Sequence, residues 1–215
     1  MWISADYLIT ENPRCGVAFL ARHCGAVRVP GAPLWALPGE ARAFVSIEDW
    51  RTRKVLCPVR DPVTRFISAV RSRFREEFPR MISPGDDALA NETLALMRRP
   101  GVMDDPRYRR FLPQQRWLSA RTHLIIPVES LADFAGSIQS PWPLSNRNAY
   151  PFVPQSVSAG VEADIRAFYA EDYAMFAKTP VWSPVPGEMH FLGKGRCLPC
   201  EAKRAGRVLK QLPQV

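Results

Sequence analysis

Short apolar runs alternate with segments of helical periodicity along most of the chain. Apolar runs at residues 7–10, 54–60 and 123–128 predict three buried strands. In the segments between and after them, apolar residues recur at three- and four-residue spacing, which is typical of helices. The predicted helices cover residues 17–24, 62–74, 86–99, 108–120 and 161–176. Strands that alternate with helices predict an α/β fold in three layers, with a central parallel sheet flanked by helices.

Local signals indicate where several elements begin and end. Asp61 followed by Pro62 is typical of a helix start, because Asp caps free backbone N–H groups and proline fits the first helical position. Gly25 ends the first helix. Shorter elements are predicted at residues 26–29 (strand), 44–47 (edge strand), 46–50 (helix) and 130–134 (helical turn).

The C-terminal part of the chain differs in character from the rest. Residues 179–187 contain three prolines and predict a linker. The chain is therefore divided into an α/β domain at residues 1–178 and a basic tail at residues 179–215. We expect the tail to be dispensable for folding.

Composition narrows the class of protein. Of the 215 residues, 47% are hydrophobic and 23% charged, which are values of a globular protein. No apolar run is long enough to span a bilayer, and the first residues do not resemble a secretory signal. The 5 cysteines show no disulfide-scaffold spacing, so reduced thiols and a cytoplasmic location are predicted.

Basic residues dominate the charge and are concentrated in two segments. The formal net charge is +8, which favours an anionic partner such as a nucleotide, a nucleic acid or a sulfated sugar. Residues 51–75 carry eight basic groups against one acid, and residues 189–215 carry six against one. Both segments could be solvated basic faces. Alternatively, residues 51–75 form an anion site, and residues 189–215 form a tail that binds nucleic acid or a protein partner.

The turn after the first strand is the first candidate for chemistry. Arg14, Cys15 and Gly16 lead into a helix whose first N–H groups belong to Val17, Ala18 and Phe19. Free N–H groups, the positive end of the helix dipole and the Arg14 charge together outline a phosphate or sulfate cradle. An ordinary strand–helix turn explains the same residues. The spacing of a Walker A loop is absent.

The second candidate follows the second core strand. Arg60 leaves the end of that strand, where open α/β sheets bind ligands, and Ser68 lies two turns into the next helix. A guanidinium and a hydroxyl that converge suit a phosphate monoester. The alternative is a capped helix with surface arginines, among them Arg65 on a neighbouring face.

These two segments resemble motifs of the PAPS-dependent sulfotransferases, where PAPS is 3′-phosphoadenosine 5′-phosphosulfate. Residues 59–70 resemble the element RDPxxRxxSxY, in which Arg and Ser bind the 3′-phosphate; the resemblance assigns this role to Arg60 and Ser68. Residues 12–16 resemble the PKxGxTS loop, which holds the 5′-phosphosulfate. The resemblance thus implies PAPS as donor, PAP as its product, and nucleotide contacts from residues 14–19.

Further segments resemble the family in the same order along the chain. Residues 111–114 resemble an aromatic-x-Pro-Gln stretch, and residues 125–131 resemble a strand that ends in E-x-L. Asn146 with Arg147 resembles a late loop, which makes Arg147 a nucleotide-binding candidate. Residues 164–176 resemble the closing helix I-R-x-x-Y-x-x-D-Y-x-x-F. The resemblance covers residues 5–178 and implies a sulfotransferase or P-loop-like fold.

The implied function is transfer of a sulfuryl group from PAPS to a hydroxyl acceptor such as a carbohydrate, with Arg14 as the catalytic residue. Arg14 replaces the family lysine, and Ala18 and Phe19 stand where the family has hydroxyl side chains. These departures support a second hypothesis, a non-catalytic nucleotide-binding or assembly module with a basic partner-binding tail. A nucleic-acid-binding domain that uses residues 51–75 is a third hypothesis, without a recognised motif.

General-base and metal candidates are few. Glu40, Glu48 and Asp49 could accept the acceptor's proton, and each is also explained as a surface acid. His23 and His123 are interpreted as structural. The sequence predicts no metal in the core. In the tail, His190, Cys197 and Cys200 supply three ligands where structural zinc sites use four. A reduced CxxC on a basic C-terminal helix, which could dock on a partner or on a nucleic acid, is therefore favoured.

Overall fold

The computed structural model describes residues 1–81, 85–140, 157–179 and 182. Its centre is a five-stranded sheet with the order β3-β1-β2-β4-β5. The strands are β1 (Trp2–Ile3), β2 (Tyr7–Ile9), β3 (Val27–Arg28), β4 (Lys54–Val59) and β5 (Thr122–Pro127). The three core strands that the sequence predicted are β2, β4 and β5, and they pair in parallel.

The sheet is mixed, which corrects the expectation of a purely parallel sheet. β1 pairs antiparallel with both β2 and β3. Only residues 4–6 separate β1 from β2, and a connection of that length allows an antiparallel hairpin but no parallel crossover. The predicted short strand at residues 26–29 is confirmed as β3.

Helices account for most of the remaining regular structure. The α-helices of the described residues are α1 (Val17–His23), α2 (Pro38–Ala41), α3 (Ile47–Thr52), α4 (Pro62–Glu77), α5 (Asp86–Met97), α6 (Leu131–Ser137), α7 (Ala159–Phe168) and α8 (Ala170–Phe176). Short 3-10 helices lie at Arg42–Phe44, Val102–Asp104, Pro106–Phe111, Gln114–Trp117 and Val128–Ser130. The fold is therefore of the mixed α/β class.

The predicted helix starts and buried faces are confirmed where the local signals were strongest. Asp61 Oδ1 accepts a hydrogen bond from the backbone N–H of Thr64 at 3.0 Å, and Pro62 is the first residue of α4. The predicted apolar face of α4 is buried, with Phe66 and Ile67 fully inaccessible. Ser46 caps α3 in the same way, through the backbone N–H of Asp49.

Three predicted elements are wrong in detail. The helix at residues 108–120 is two 3-10 helices, because Pro113 lacks an N–H and forces Leu112 into an extended conformation with ψ 144°. The helix at residues 161–176 breaks at Tyr169, whose φ of −104° and ψ of 26° separate α7 from α8. The edge strand at residues 44–47 is the end of a 3-10 helix followed by α3.

Both faces of the sheet are covered by apolar side chains. Ile9, Leu56 and Ile126 pack with residues of α1 and α6. Leu8 and Val55 point to the opposite face and pack with residues 29–45. Because successive strand residues face opposite sides, this alternation sandwiches the parallel strands between two layers.

No helix in the described part of the chain is long and apolar enough to cross a membrane.

Trp182 belongs to the predicted linker and contacts the domain. Its backbone N–H donates to the carbonyl of Ile125 at 2.7 Å, and its ring meets Phe134 edge-on with centroids 5.6 Å apart. These contacts extend the packing beyond residue 178. The dispensable segment is therefore expected to begin after Trp182.

We predict that a chain ending at residue 178 melts at a lower temperature than one ending at residue 187. Loss of the Trp182 contacts should lower the free energy of unfolding by about 1–3 kcal/mol. Trp182→Ala in the full chain should reproduce this loss. Thermal unfolding of the two truncated chains, of Trp182→Ala and of the unchanged full chain checks it, and equal melting temperatures would show that Trp182 does not stabilise the domain.

Candidate functional site

The two sequence candidates meet at one edge of the sheet. The turn with Arg14 follows β2, and Arg60 follows β4. These strands are parallel neighbours, so their carboxyl ends lie side by side. Ligands of open α/β sheets bind in the crevice outside these strand ends, which makes this edge the candidate anion site.

The turn between β2 and α1 has an unusual backbone. Arg14 adopts φ 65° and Gly16 adopts φ 75°, both in the left-handed region. Gly16 is the N-cap of α1 and supplies no side-chain cap, so the first N–H groups of the helix are not satisfied by a capping side chain. These N–H groups belong to Val17, Ala18 and Phe19, as the sequence predicted.

Gly16 is required by its contacts as well as by its backbone. A Cβ at this position would overlap Leu131 Cδ1 and lie 3.3 Å from Val128 Cγ2. Both neighbours follow β5, so Gly16 allows α1 to approach the next strand–helix connection. The resemblance predicted a glycine in this loop, and the packing supplies its physical reason.

We predict that Gly16→Ala lowers the free energy of unfolding by about 2–4 kcal/mol, from backbone strain and from the displaced Leu131 side chain. Gly25→Ala is the matched control, because Gly25 also has a positive φ of 61° but nothing lies within 4 Å of its Cβ position. The control should lose about 1 kcal/mol. Chemical denaturation measures both, and equal losses would contradict the steric account.

Arg14 contacts Ser68 directly, across 54 residues of sequence. Arg14 Nε donates to Ser68 Oγ at 3.1 Å. Because the Ser68 oxygen accepts this bond, its O–H remains a donor that can point to an anion. The sequence pairs Ser68 with Arg60; the hydrogen bond that the structure shows for Ser68 is to Arg14.

Arg60 is held by its main chain and has an unmatched side-chain donor. Its backbone N–H donates to Gln114 Oε1 at 3.0 Å, and its carbonyl accepts from Gln114 Nε2 at 2.7 Å. Arg60 Nε is buried and has no hydrogen-bond partner among the described residues. A buried guanidinium donor without a partner is a feature that an oxyanion would satisfy.

Positive charge is concentrated around Arg14. Partial burial lowers the pKa of Arg14, and the neighbouring charges of Arg75, Arg60 and Arg110 lower it further. The carboxylate of Glu76 acts in the opposite direction and raises the pKa of Arg14. We call Arg14, Arg60, Arg75 and Arg110 the arginine cluster. Its guanidinium groups repel one another, and an anion would relieve this repulsion.

Gln114 connects the two halves of the site and is fully buried. Its Oε1 accepts from Asn12 Nδ2 at 3.2 Å and from Cys15 Sγ at 3.4 Å, in addition to the Arg60 N–H. Burial raises the pKa of the Cys15 thiol to about 12, so Cys15 is a hydrogen-bond donor in the core, and only its backbone can face a ligand. Sequence reasoning gave Gln114 no role beyond the resemblance of residues 111–114.

Arg65 holds the backbone of the Arg14 turn and of the segment around Arg110. The sequence placed it on a neighbouring helix face, but it is fully buried. Arg65 Nε donates to the carbonyl of Pro13 at 3.2 Å, and Arg65 Nη2 donates to the carbonyls of Arg110 at 3.0 Å and Leu112 at 2.9 Å. One side chain thus fixes the Arg14 turn to the segment that carries Arg110.

The segment that resembles a closing helix is attached to the site by three polar side chains. Asp172 accepts hydrogen bonds from the backbone N–H groups of Gln114 at 2.8 Å and Gln115 at 3.0 Å. Burial raises the pKa of Asp172 even though these bonds oppose the shift. Tyr173 donates to Asp61 at 3.0 Å, and Tyr169 donates to the carbonyl of Phe111 at 2.7 Å.

The three candidate bases lie on the segment that precedes β4. Burial would raise the pKa of Glu40, but hydrogen bonds from Arg109 and from the Leu37 N–H outweigh it and lower the pKa. Asp49 is hydrogen-bonded to Ser46 and paired with Arg53, and both contacts lower its pKa. Glu48 is exposed. Paired carboxylates of low pKa are weak bases.

The histidines of the described residues have structural contacts. His23 is buried, lies 2.8 Å from Ser140 Oγ and stacks on Phe19. Burial, together with the neighbouring charge of Arg22, lowers the pKa of His23, which favours the neutral ring. His123 Nδ1 accepts the backbone N–H of Val55 at 2.9 Å, beside the register shift between β4 and β5. The His123 ring nitrogen thus takes the place of the β5 backbone carbonyl that would accept the Val55 N–H in a regular ladder.

Some predicted residues lie outside the described residues. These are Arg147 of the predicted nucleotide site and His190, Cys197 and Cys200 of the tail. Within the described ranges, no group of three or more His, Cys, Asp or Glu side chains is arranged to hold a metal ion.

Comparisons with known proteins provide no relative from which a function could be transferred. No family model matches the sequence, and no curated protein or solved structure matches the chain. The function therefore has to be argued from the residues of the site.

Proposed function

We propose that this protein binds PAPS and transfers its sulfuryl group to a hydroxyl acceptor such as a carbohydrate. The observation that carries the proposal is the contact between Arg14 and Ser68 at 3.1 Å. It joins the two segments that resemble the 5′-phosphosulfate loop and the 3′-phosphate element of sulfotransferases. Two anionic groups of one nucleotide would then be held side by side at the edge of the sheet.

The residues of the site fit a nucleotide with two anionic ends. Arg60 has a buried Nε without a partner in the described part of the chain, and Ser68 retains a free O–H, so both can donate to the 3′-phosphate. The N–H groups of Val17, Ala18 and Phe19 and the Arg14 guanidinium would hold the phosphosulfate. Arg147 is proposed to contact the nucleotide on the basis of resemblance alone.

In the transfer, the acceptor oxygen forms a bond to sulfur, the bond between sulfur and the 5′-phosphate oxygen breaks, and the hydroxyl proton passes to solvent. The step requires alignment of donor and acceptor and stabilisation of the charge that grows on the departing phosphate. PAPS supplies the activated sulfuryl group. Arg14 and the first N–H groups of α1 are fixed before the reaction, because Arg65 and Gln114 hold the Arg14 turn. Preorganised donors of this kind stabilise developing charge without reorganisation.

A non-catalytic nucleotide-binding module is the second candidate, and Ala18 favours it. Ala18 is exposed at the start of α1, where the resembling loop has a hydroxyl side chain. The wild-type site therefore lacks one donor to the transferring group. Under this alternative the arginine cluster would bind the nucleotide without turnover.

Transfer of labelled sulfate from PAPS to a panel of glycans, small alcohols and tyrosine peptides tests the proposal. We expect transfer by the wild type to at least one acceptor, and faster transfer by Ala18→Thr, which restores a hydroxyl donor. Binding of adenosine 3′,5′-bisphosphate without transfer by either protein would favour the non-catalytic module. Absence of bisphosphate binding would refute both.

A further inference from the structure

Arg110 is, with Arg75, one of two members of the arginine cluster that the proposed nucleotide contacts do not use. Its backbone carbonyl accepts from Arg65 Nη2 at 3.0 Å, and the same guanidinium binds the carbonyl of Pro13. Arg110 is thus held at a fixed position relative to the Arg14 turn. It belongs to the 3-10 helix Pro106–Phe111, which is separate from both nucleotide segments.

The Arg110 side chain is mostly, though not fully, buried, and only part of its hydrogen-bonding capacity is satisfied among the described residues. It is 11% exposed, and its guanidinium carbon lies 4.8 Å from the centroid of the Trp35 ring. Arg110 Nη2 donates to Glu76 Oε2 at 2.8 Å. Arg110 Nε is buried and has no partner within the described ranges. A guanidinium has five N–H donors, so this group can bind a further oxyanion.

The Trp35 ring packs against the Arg110 guanidinium, and the Trp35 backbone is held in an uncommon conformation. Its backbone has a φ of 55°, which a side-chain-bearing residue adopts only when its surroundings hold it there. The Trp35 N–H donates to the buried carboxylate of Glu11 at 2.8 Å, and the Trp35 carbonyl accepts from Arg109 at 3.2 Å. These bonds hold the Trp35 backbone on both sides of its Cα, and the Trp35 ring lies against the Arg110 guanidinium.

Glu76 is the acid that partly neutralises the arginine cluster. It is 55% exposed, and a hydrogen bond from Arg110 is the largest cause of its lowered pKa. An exposed carboxylate can rotate into solvent at little cost, because surface ion pairs are weak. Glu76 thus occupies a position that an anion from solution could take.

We infer that the acceptor carries an anionic group of its own, such as a carboxylate, phosphate or sulfate, and that Arg110 beside Trp35 binds this group in place of Glu76. The inference rests on the proposed function, since it names the substrate class of the same site. With a neutral acceptor, Glu76 would remain the counter-charge of Arg110 among the described residues, through its bond to Arg110 Nη2.

The test compares the binding affinities of charged and neutral sugars for the protein saturated with adenosine 3′,5′-bisphosphate. Glucose 6-phosphate, glucose 6-sulfate and glucuronate are the anionic probes, and glucose is the neutral one; calorimetry or amide chemical shifts report affinity. We expect the anionic sugars to bind at least about fivefold more tightly than glucose. Arg110→Gln should abolish this preference, with the melting temperature recorded to show that the variant is folded.

Glu76→Gln supplies a gain-of-binding variant. Removal of the competing carboxylate should tighten the anionic sugars by about threefold to tenfold and leave glucose unchanged. Glu77→Gln is the matched control, because Glu77 is the adjacent residue, carries the same charge and pairs instead with Arg73 at 2.7 Å. It should change these affinities by less than about twofold.

The failures of the inference and of the proposed function are distinguishable. If the bisphosphate binds but the anionic sugars bind no better than glucose, the inference alone is refuted. Equal effects of Glu76→Gln and Glu77→Gln would also refute it, because net charge rather than the Arg110 site would then explain the binding. Absence of bisphosphate binding would refute the proposed function and this inference with it.

Discussion

Replacement of Arg14 by alanine is expected to lower the rate of sulfate transfer by about 10²–10³-fold, the usual effect of removing one preorganised donor to a developing charge. Arg14 is the charged residue among Arg14, Cys15 and Gly16, which lead into α1. Its Nε donates a hydrogen bond to Ser68 Oγ at 3.1 Å, which orients the guanidinium. The measurement is kcat with saturating PAPS and an acceptor identified in the panel. Affinity for PAPS should fall less than kcat, since Arg60 and Ser68 remain.

Arg98→Ala is the control for this experiment. Arg98 is 53% exposed and lies 3.9 Å from Asp164, and it is not among the charges that act on Arg14. The control removes the same formal charge and should leave kcat unchanged. Transfer that survives Arg14→Ala at the wild-type rate would show that the sulfuryl group does not lie at this turn.

Gln114→Leu is expected to have the largest effect on stability. The substitution keeps the volume of the side chain but leaves the part-buried Arg60 N–H and Arg60 carbonyl without this partner. It also removes one of the two acceptors of Asn12 Nδ2, which keeps its bond to the Pro58 carbonyl. Each buried group that loses its hydrogen bond costs about 1–3 kcal/mol. We therefore predict a loss of about 3–6 kcal/mol in the free energy of unfolding by denaturant.

Gln115→Leu is a closely matched control. Gln115 is the next residue, and its side chain contacts the exposed Glu171, whereas its backbone N–H donates to Asp172 and is unaffected by the change. Its loss should stay below about 0.5 kcal/mol. Similar losses for the two variants would contradict the role of Gln114 as the connection between the two halves of the site.

The sequence predicts the elements that depend on local chemistry. Asp61 and Pro62 determine the start of α4, and the apolar runs of β2, β4 and β5 are buried as expected. Prediction from the sequence fails where contacts with residues far away in the chain determine the backbone conformation. Tyr169 interrupts a continuous helical pattern, and its hydroxyl is bonded to the Phe111 carbonyl, 58 residues away.

The sequence offers candidate residues for the site, but it does not reveal the buried hydrogen bonds that connect them. Strand ends, helix starts and motif resemblance predict Arg14, Arg60 and Ser68 as site residues, and the structure shows a contact between Arg14 and Ser68. Gln114 and Arg65 were not given their roles, because a buried glutamine or arginine is recognisable only once its partners are known. Arg65 satisfies three carbonyls from two separate segments, and nothing in the helical pattern of α4 distinguishes it from a surface arginine.

Calorimetry with adenosine 3′,5′-bisphosphate and AMP tests the central claim most directly. If Arg60 and Ser68 hold a 3′-phosphate, the bisphosphate should bind at least about tenfold more tightly than AMP, because a charge-assisted hydrogen bond contributes about 1.5–3 kcal/mol. Arg60→Ala should remove most of this difference and leave the affinity for AMP nearly unchanged. Equal affinities of the wild type for the bisphosphate and AMP would contradict the account.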